Sequence, residues 1–161
     1  MPCNVYGPHD NFKEGDSHVI PGMIKRLHKL IHFDEPQKPQ EDKKFIVFGT
    51  GKPLRQFIYS LDLARLFLWV LRNYNSCEPI ILSVDETSEV TIAQLAESIA
   101  KAFEFRGEII FDATKADGQF KKTASNNKLR QHLPEFKFVN FDEAIKETVD
   151  WFVKNYEQAR K

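Results

Sequence analysis

Two hydrophobic rhythms alternate along this chain, and that alternation limits the fold more than any other feature. Met23, Ile24, Leu27, Leu30 and Ile31 recur at helical spacing and share one face, with Pro21 suited to the first turn. Leu63, Leu66, Phe67, Val70 and Leu71 repeat the pattern behind Ser60, a suitable N-cap. Thr91 with Gln94, and Asn140 with Glu143, have capping-box spacing. The first pair precedes Leu95, Ile99, Ala102 and Phe103; the second precedes Ala144, Ile145, Thr148, Val149 and Phe152. Short β-rich runs lie between these helices: Phe45–Phe48, Gln56–Tyr59, Ile80–Val84 and Glu108–Phe111. Strands alternating with helices predict an α/β domain with some α+β character.

The 161 residues fit one domain, 1–161, long enough for a real hydrophobic core. Fourteen phenylalanines predict order over most of it, because each ring buries a large area. The start is unusual. Pro2-Cys3-Asn4-Val5-Tyr6-Gly7 reads as the end of a strand entering a loop, with no earlier strand to pair with. Residues 1–8 are therefore expected to be the residual strand end of another domain, in a chain cut from something larger, and an unpaired edge there predicts poor solubility. Asp34 to Lys44, with Pro36 and Pro39, is expected to be a mobile solvent loop.

Lys plus Arg and Asp plus Glu each number 23, a balance that argues against a general nucleic-acid or membrane-surface binder. A local positive cluster for a diphosphate is still compatible with it. No apolar run reaches the ~18 residues of a membrane span. Cys3 and Cys77 are too few for a disulfide framework and no signal peptide precedes them, so a reduced, cytoplasmic protein is expected.

Gly49-Thr50-Gly51-Lys52-Pro53 has the composition of a phosphate loop but not its spacing, and Pro53 stands where Ser or Thr is needed. Leu54 occupies the place of the third glycine of a dinucleotide fingerprint. The segment reads as a Gly-Pro turn between strands. His28 and His32 have metal-ligand spacing on one helix, yet the Glu of a His-Glu-x-x-His motif and a third ligand are missing. They read as a solvated helix face, and no metal is expected. His18 lies just ahead of the first helix, where an imidazole suits either a structural role or proton transfer. Arg55 opens a strand after the turn, and its planar fork serves as surface charge or as a phosphate grip. Asp117-Gly118-Gln119-Phe120-Lys121-Lys122 is a polar loop carrying both signs of charge, by itself a solvated turn.

Taken together, these segments resemble a known family. Asn4-Val5-Tyr6-Gly7-Pro8 is similar to a segment widespread in extended short-chain dehydrogenase/reductases acting on nucleotide sugars. His9-Asp10-Asn11-Phe12 and Ser17-His18-Val19-Ile20-Pro21 resemble the GDP-L-fucose synthase family, the GDP-4-keto-6-deoxymannose 3,5-epimerase/4-reductases. Arg55 to Ala64 resembles the arginine strand and helix of the wider superfamily, and Asp117 to Asn126 the fucose synthase form again. The match runs in order over essentially the whole chain.

The resemblance implies the carboxy-terminal, substrate-binding part of an extended Rossmann-type fold, without its amino-terminal cofactor domain. It implies a GDP-sugar substrate, GDP-4-keto-6-deoxy-D-mannose, epimerised at C3 and C5 and reduced at C4 with NADPH to give GDP-L-fucose. NADP would be held mostly by the missing amino-terminal half, and the complete protein would be a homodimer. His18 matches the epimerisation acid/base and also a position near the nicotinamide; its cysteine partner belongs to the other half, so Cys3 does not take that role. Pro2, Cys3, Asn4 and Val5 match the cofactor-contacting strand end. Arg26, Phe48, Arg55 and Asp117 match substrate-holding positions, the arginines at the diphosphate and Phe48 against the nucleotide, where related sequences often carry Trp.

The family's Ser, Tyr and Lys set has its Tyr four residues before its Lys, and none of Tyr6, Tyr59, Tyr74 and Tyr156 has a Lys at that spacing. Alone, the chain is expected to be inactive. Two other readings stay open: a truncated or spliced, non-catalytic binding or regulatory fragment, and another nucleotide-sugar epimerase or dehydratase, against which the His-Asp-Asn-Phe block weighs.

Overall fold

Helix α1 (Val19–Lys29) begins where the extended backbone of His18 turns, with Pro21 in its first turn. The computed structural model describes residues 1–161, and it turns Met23, Ile24 and Leu27 of α1 into the core, as their spacing predicts. The helix runs on into a wider turn, Leu30–Asp34. Its last carbonyls are met by Lys43, whose buried ammonium donates to Leu30 O at 2.8 Å and Ile31 O at 2.9 Å. A cation at a helix carboxy terminus also complements the negative end of the dipole.

Helix α2 (Ser60–Asn73) follows strand β4 (Phe57–Tyr59) without a loop, and that changes the cap. Tyr59, the last strand residue, occupies the N-cap, and Ser60 is already helical and makes no capping bond, contrary to the sequence reading. Gly7 presses on this junction: a Cβ there would lie 2.2 Å from Ser60 Oγ. Leu63 and Leu66 point inward, but Phe67 and Leu71 of the predicted face stay exposed. With Leu61 and Leu68 they leave an uncovered apolar stripe along α2.

Helix α3 (Ile92–Ala102) carries the expected capping box, with Thr91 and Gln94 bonded reciprocally. Helix α5 (Phe141–Lys154) is capped by Asn140 Oδ1, which accepts from the N–H groups of Asp142 and Glu143. Its Glu143 side chain makes no return bond, so this is a simple N-cap. A short α4 (Asn127–His132) lacks enough turns to show a period in sequence.

The strands form three small sheets. Strand β1 (Asn4–Tyr6) pairs in parallel with β4, and β2 (Lys44–Phe48) in parallel with β6 (Glu108–Asp112). Phe45 and Val47 of β2 face the core, and Ile46 and Phe48 face out. Strand β3 (Leu54–Arg55) sits between β5 (Val90–Thr91), antiparallel, and β7 (Lys121–Lys122), parallel. The run Ile80–Val84, expected as a strand, makes only the single bridge of Leu82 with Pro2. Met1 meets Leu82 N–H and Ile80 O, and side-chain amides take two further carbonyls: Asn126 donates to Ser83 O and Gln56 to Val84 O, at 2.9 and 3.0 Å. Two cores result. Residues of α1, α3 and α5 enclose Phe12, Phe45 and Val47, and a smaller cluster of Ile58, Leu63, Leu66, Leu82 and Leu129 lies beneath α2. The architecture is mixed α/β.

His28 does not lie on a solvated face. It is buried under Phe152 and Tyr156, which arrive from α5 and the turn after it. No three His, Cys, Asp or Glu side chains lie together in an arrangement able to hold a metal ion, and no helix is long and apolar enough to cross a membrane.

Candidate functional site

The outer face of α1 forms one wall of a cavity of about 530 Å³, through His18, Gly22, Lys25, Arg26 and Lys29. Phe48 from the end of β2, Arg55 from β3, and Asp117 close the opposite side, and Glu14 and Gly15 form the rim. Four fixed cations (Lys25, Arg26, Lys29, Arg55) thus face two carboxylates (Glu14, Asp117). The excess positive charge, confined against low-dielectric walls, favours an anion.

Arg26 spans the two walls. Its guanidinium lies 4.7 Å from the Phe48 ring centre and its Nη1 donates to Ile46 O at 3.5 Å. Burial holds its pKa below the usual arginine value, with Glu14 acting against that shift; guanidinium remains charged at any physiological pH. Phe48 itself is 57% exposed, so its other face is free for a flat aromatic group. Arg55 is steadied through one nitrogen, Nη1 to Leu54 O at 2.7 Å, which leaves the rest of its fork for a ligand.

Asp117 is already engaged within the chain. It accepts from Thr50 N–H at 2.6 Å and from Thr50 Oγ1 at 2.7 Å, and these bonds hold its carboxyl below the ordinary range. The turn beneath must be glycine: at Gly49, with φ of +89°, a Cβ would stand 2.3 Å from Asp117 Oδ1. Asp117 therefore ties the 112–120 segment to the 49–52 turn while bordering the cavity.

A second cavity, about 660 Å³, opens on the far side of His18. Cys3, Val5, Gly7 and Asp10 border it, and it shares His18, Asn4, Val19 and Phe57 with the first. Asn4 is held in that common wall by its Nδ2, which donates to Gln56 O at 2.9 Å. Burial pushes the Cys3 thiol pKa up, which keeps it a poor nucleophile at neutral pH. His18, Arg26, Phe48, Arg55, Asp117 and Asn4 therefore gather at the first cavity, and Cys3, Asn4, Val5 and His18 at the second. Pro2 borders neither and pairs with Leu82 instead.

Residues 1–84 match the profile of the NAD dependent epimerase/dehydratase family. The chain belongs to that family. Over all 161 residues this family member is 56% identical to a Drosophila melanogaster protein named "Probable GDP-L-fucose synthase", and 50% identical to a GDP-L-fucose synthase of Dictyostelium discoideum. It spans 50% and 48% of those two relatives, about half of their length. Among solved structures, a GDP-L-fucose synthetase from Naegleria fowleri superposes with a TM-score of 0.91 at 49% identity, over 99% of this chain and 47% of that one. A second crystal structure of that protein is bound to NADP, with the same TM-score, identity and coverage. A UDP-glucose 4-epimerase from Thermotoga maritima shares only the fold, with a TM-score of 0.75 at 21% identity over 97% of this chain and 45% of that one.

In this family member, sequence reasoning passed over Lys25, Lys29, Glu14 and Gly22. The signal was present: positions 18, 22, 25 and 29 follow one another at helical spacing from His18. Charged residues at that spacing ordinarily mark a solvated helix face, which is why they drew no attention. Gly22 lies against Ser17: a Cβ there would meet Ser17 Oγ at 2.9 Å, a contact that rotation of the serine hydroxyl relieves.

Proposed function

We propose that this chain is the substrate-binding portion of a GDP-L-fucose synthase, which converts GDP-4-keto-6-deoxy-D-mannose to GDP-L-fucose by 3,5-epimerisation and NADPH-dependent 4-reduction. One observation carries the reading: a single imidazole, His18, stands in the wall common to a cation-lined cavity and a second cavity bordered by residues 3–10. A nucleotide sugar in the first cavity would present its ketosugar to that ring.

The C4 carbonyl makes the hydrogens at C3 and C5 acidic. A base takes the proton, the C–H electron pair moves into the carbonyl as an enolate, and an acid returns a proton to the opposite face of the same carbon, with His18 one member of that acid/base pair. The family resemblance assigns the other member of the pair to the other half of the protein. Arg26 and Arg55 would grip the diphosphate oxygens, with the nucleotide base stacked on the free face of Phe48. NADPH, when bound, supplies the hydride for C4. The second cavity fits only its nicotinamide end: Cys3, Val5 and Pro8 offer an apolar bed beside His18, while no glycine-rich loop for a pyrophosphate is near. The absence of a Tyr and Lys at reductase spacing supports a chain inactive by itself. The bare stripe of Leu61, Leu68 and Leu71 would seat the cofactor-binding half, the complete enzyme being a cytoplasmic homodimer.

Two measurements test this. Calorimetry of the chain with GDP should give binding that Arg55→Ala weakens by about 10- to 100-fold, the loss of one charge-assisted fork. Assembled with a cofactor-binding half and incubated with the ketosugar in D₂O, the protein should wash deuterium into C3 and C5, and His18→Asn should abolish that. GDP binding without any wash-in would make the chain a binding fragment only.

A further inference from the structure

We infer that Asn11 is a positioning residue that sets the reach of His18, an inference that rests on the proton-transfer role proposed above. The His18 ring makes no hydrogen bond to any other residue; the Asp10 carboxylate acts on it only through charge, which does not fix its aim. Its place depends on the backbone on either side. Ahead lies α1, secured by the Gly22 N–H to His18 O bond of 2.9 Å and by buried Ile20. Behind lies the segment 13–17, exposed or half-buried throughout, with Gly15 at φ of +85° and no atom within 4 Å of where its Cβ would be. An unbraced segment of that kind would let the ring wander.

Asn11 supplies the brace. Its Oδ1 accepts from Lys13 N–H at 3.1 Å and its Nδ2 donates to Asp16 O at 3.2 Å, so one side chain spans the turn closed by Asp16 N–H to Lys13 O at 3.2 Å. Its own N–H donates to Asp10 Oδ1 at 2.6 Å. The next residue anchors the brace to the core: Phe12 is fully buried, stacks on Phe152 at 4.3 Å, and its N–H donates to Arg160 O at 2.8 Å. The Lys13–Asp16 ion pair is exposed on both sides and adds little. The His-Asp-Asn-Phe block thereby acts mechanically, with Phe12 pinning the loop and Asn11 stiffening its path to His18. Proton transfer from carbon demands close approach, and a misplacement of about 1 Å costs on the order of 100-fold in rate.

Asn11→Ala tests it, with two readouts on the assembled protein. Expected are lower amide order across residues 13–17 by ¹⁵N relaxation, and deuterium wash-in at saturating ketosugar slowed by about 10- to 100-fold, a loss larger than any rise in KM from the loosened rim at Glu14 and Gly15. Asn11→Asp keeps the acceptor for Lys13 N–H and should recover part of both, and it serves if the alanine variant does not fold. Unchanged loop order, wash-in at the wild-type rate, or a rate loss that merely follows loss of sugar binding would each overturn the role of Asn11. Failure of the wild type to exchange deuterium would instead sink the proposed activity, and the relaxation readout would still decide whether Asn11 braces the loop.

Discussion

His28 is 5% exposed and lies within 4.6 to 6.2 Å, ring centre to ring centre, of His32, Phe33, Phe103, Phe152 and Tyr156. Its Nδ1 is buried without a partner. Burial first, then the charges of His32 and Lys161, lower its pKa from 6.5 to about 4. Between those two values the unfolded chain takes up a proton that the folded chain refuses, so stability falls as the pH drops from 6.5 towards 4. The whole window is worth about 3 kcal/mol, of which about 2 kcal/mol is lost on going from pH 7 to pH 5. Urea unfolding of the wild type and of His28→Phe at both pH values isolates this contribution. Phenylalanine fits among the surrounding rings, discards the orphaned nitrogen and cannot titrate. Carboxylates that ionise in the same range are common to both proteins and cancel in the comparison. The wild type should lose about 2 kcal/mol more than the variant, a midpoint difference of roughly 1 M urea. Equal losses in the two proteins would refute the reasoning.

Gln56→Leu should destabilise the fold by about 2–4 kcal/mol in the same assay, because Val84 O, Ala124 O and Ala124 N–H would all lose a partner in a buried setting. Gly51→Ala should cost about 1–3 kcal/mol: φ is +75° there and the added Cβ would stand 2.6 Å from the Phe111 ring. Asp117→Ala should leave the urea midpoint nearly unchanged, since the group is exposed, but weaken GDP binding by up to about tenfold by calorimetry as the 112–120 segment loses its tie to Thr50.

The helices were legible because each writes its burial into a local period, and Thr91 with Gln94 announced its own cap. Where the sequence misled, the cause was a partner distant in the chain. Ser60 has cap chemistry, but β4 runs straight into α2 and places Tyr59 at that position. Ile80–Val84 has strand composition, yet its backbone meets only Met1 and Pro2, while Gln56 and Asn126 take two of its carbonyls. His28 looks solvent-facing by its spacing from His32 and is buried by rings about 125 residues later in the chain. The site divides in the same way. His18 and Arg55 stood out through the segments that carry them, and Arg26 and Phe48 through the family resemblance; all four border one cavity. That both Asp117 oxygens would be taken by Thr50, 67 residues away, was not written in either segment.

Lys43 closes the back of α1 with its ammonium sealed from solvent, and β2, which carries Phe48, starts at the next residue. An amine-acylating reagent should therefore spare this lysine for as long as helix and strand stay together. The lag before it becomes modified would clock how often the two walls of the cationic chamber part company, with no ligand needed to report it.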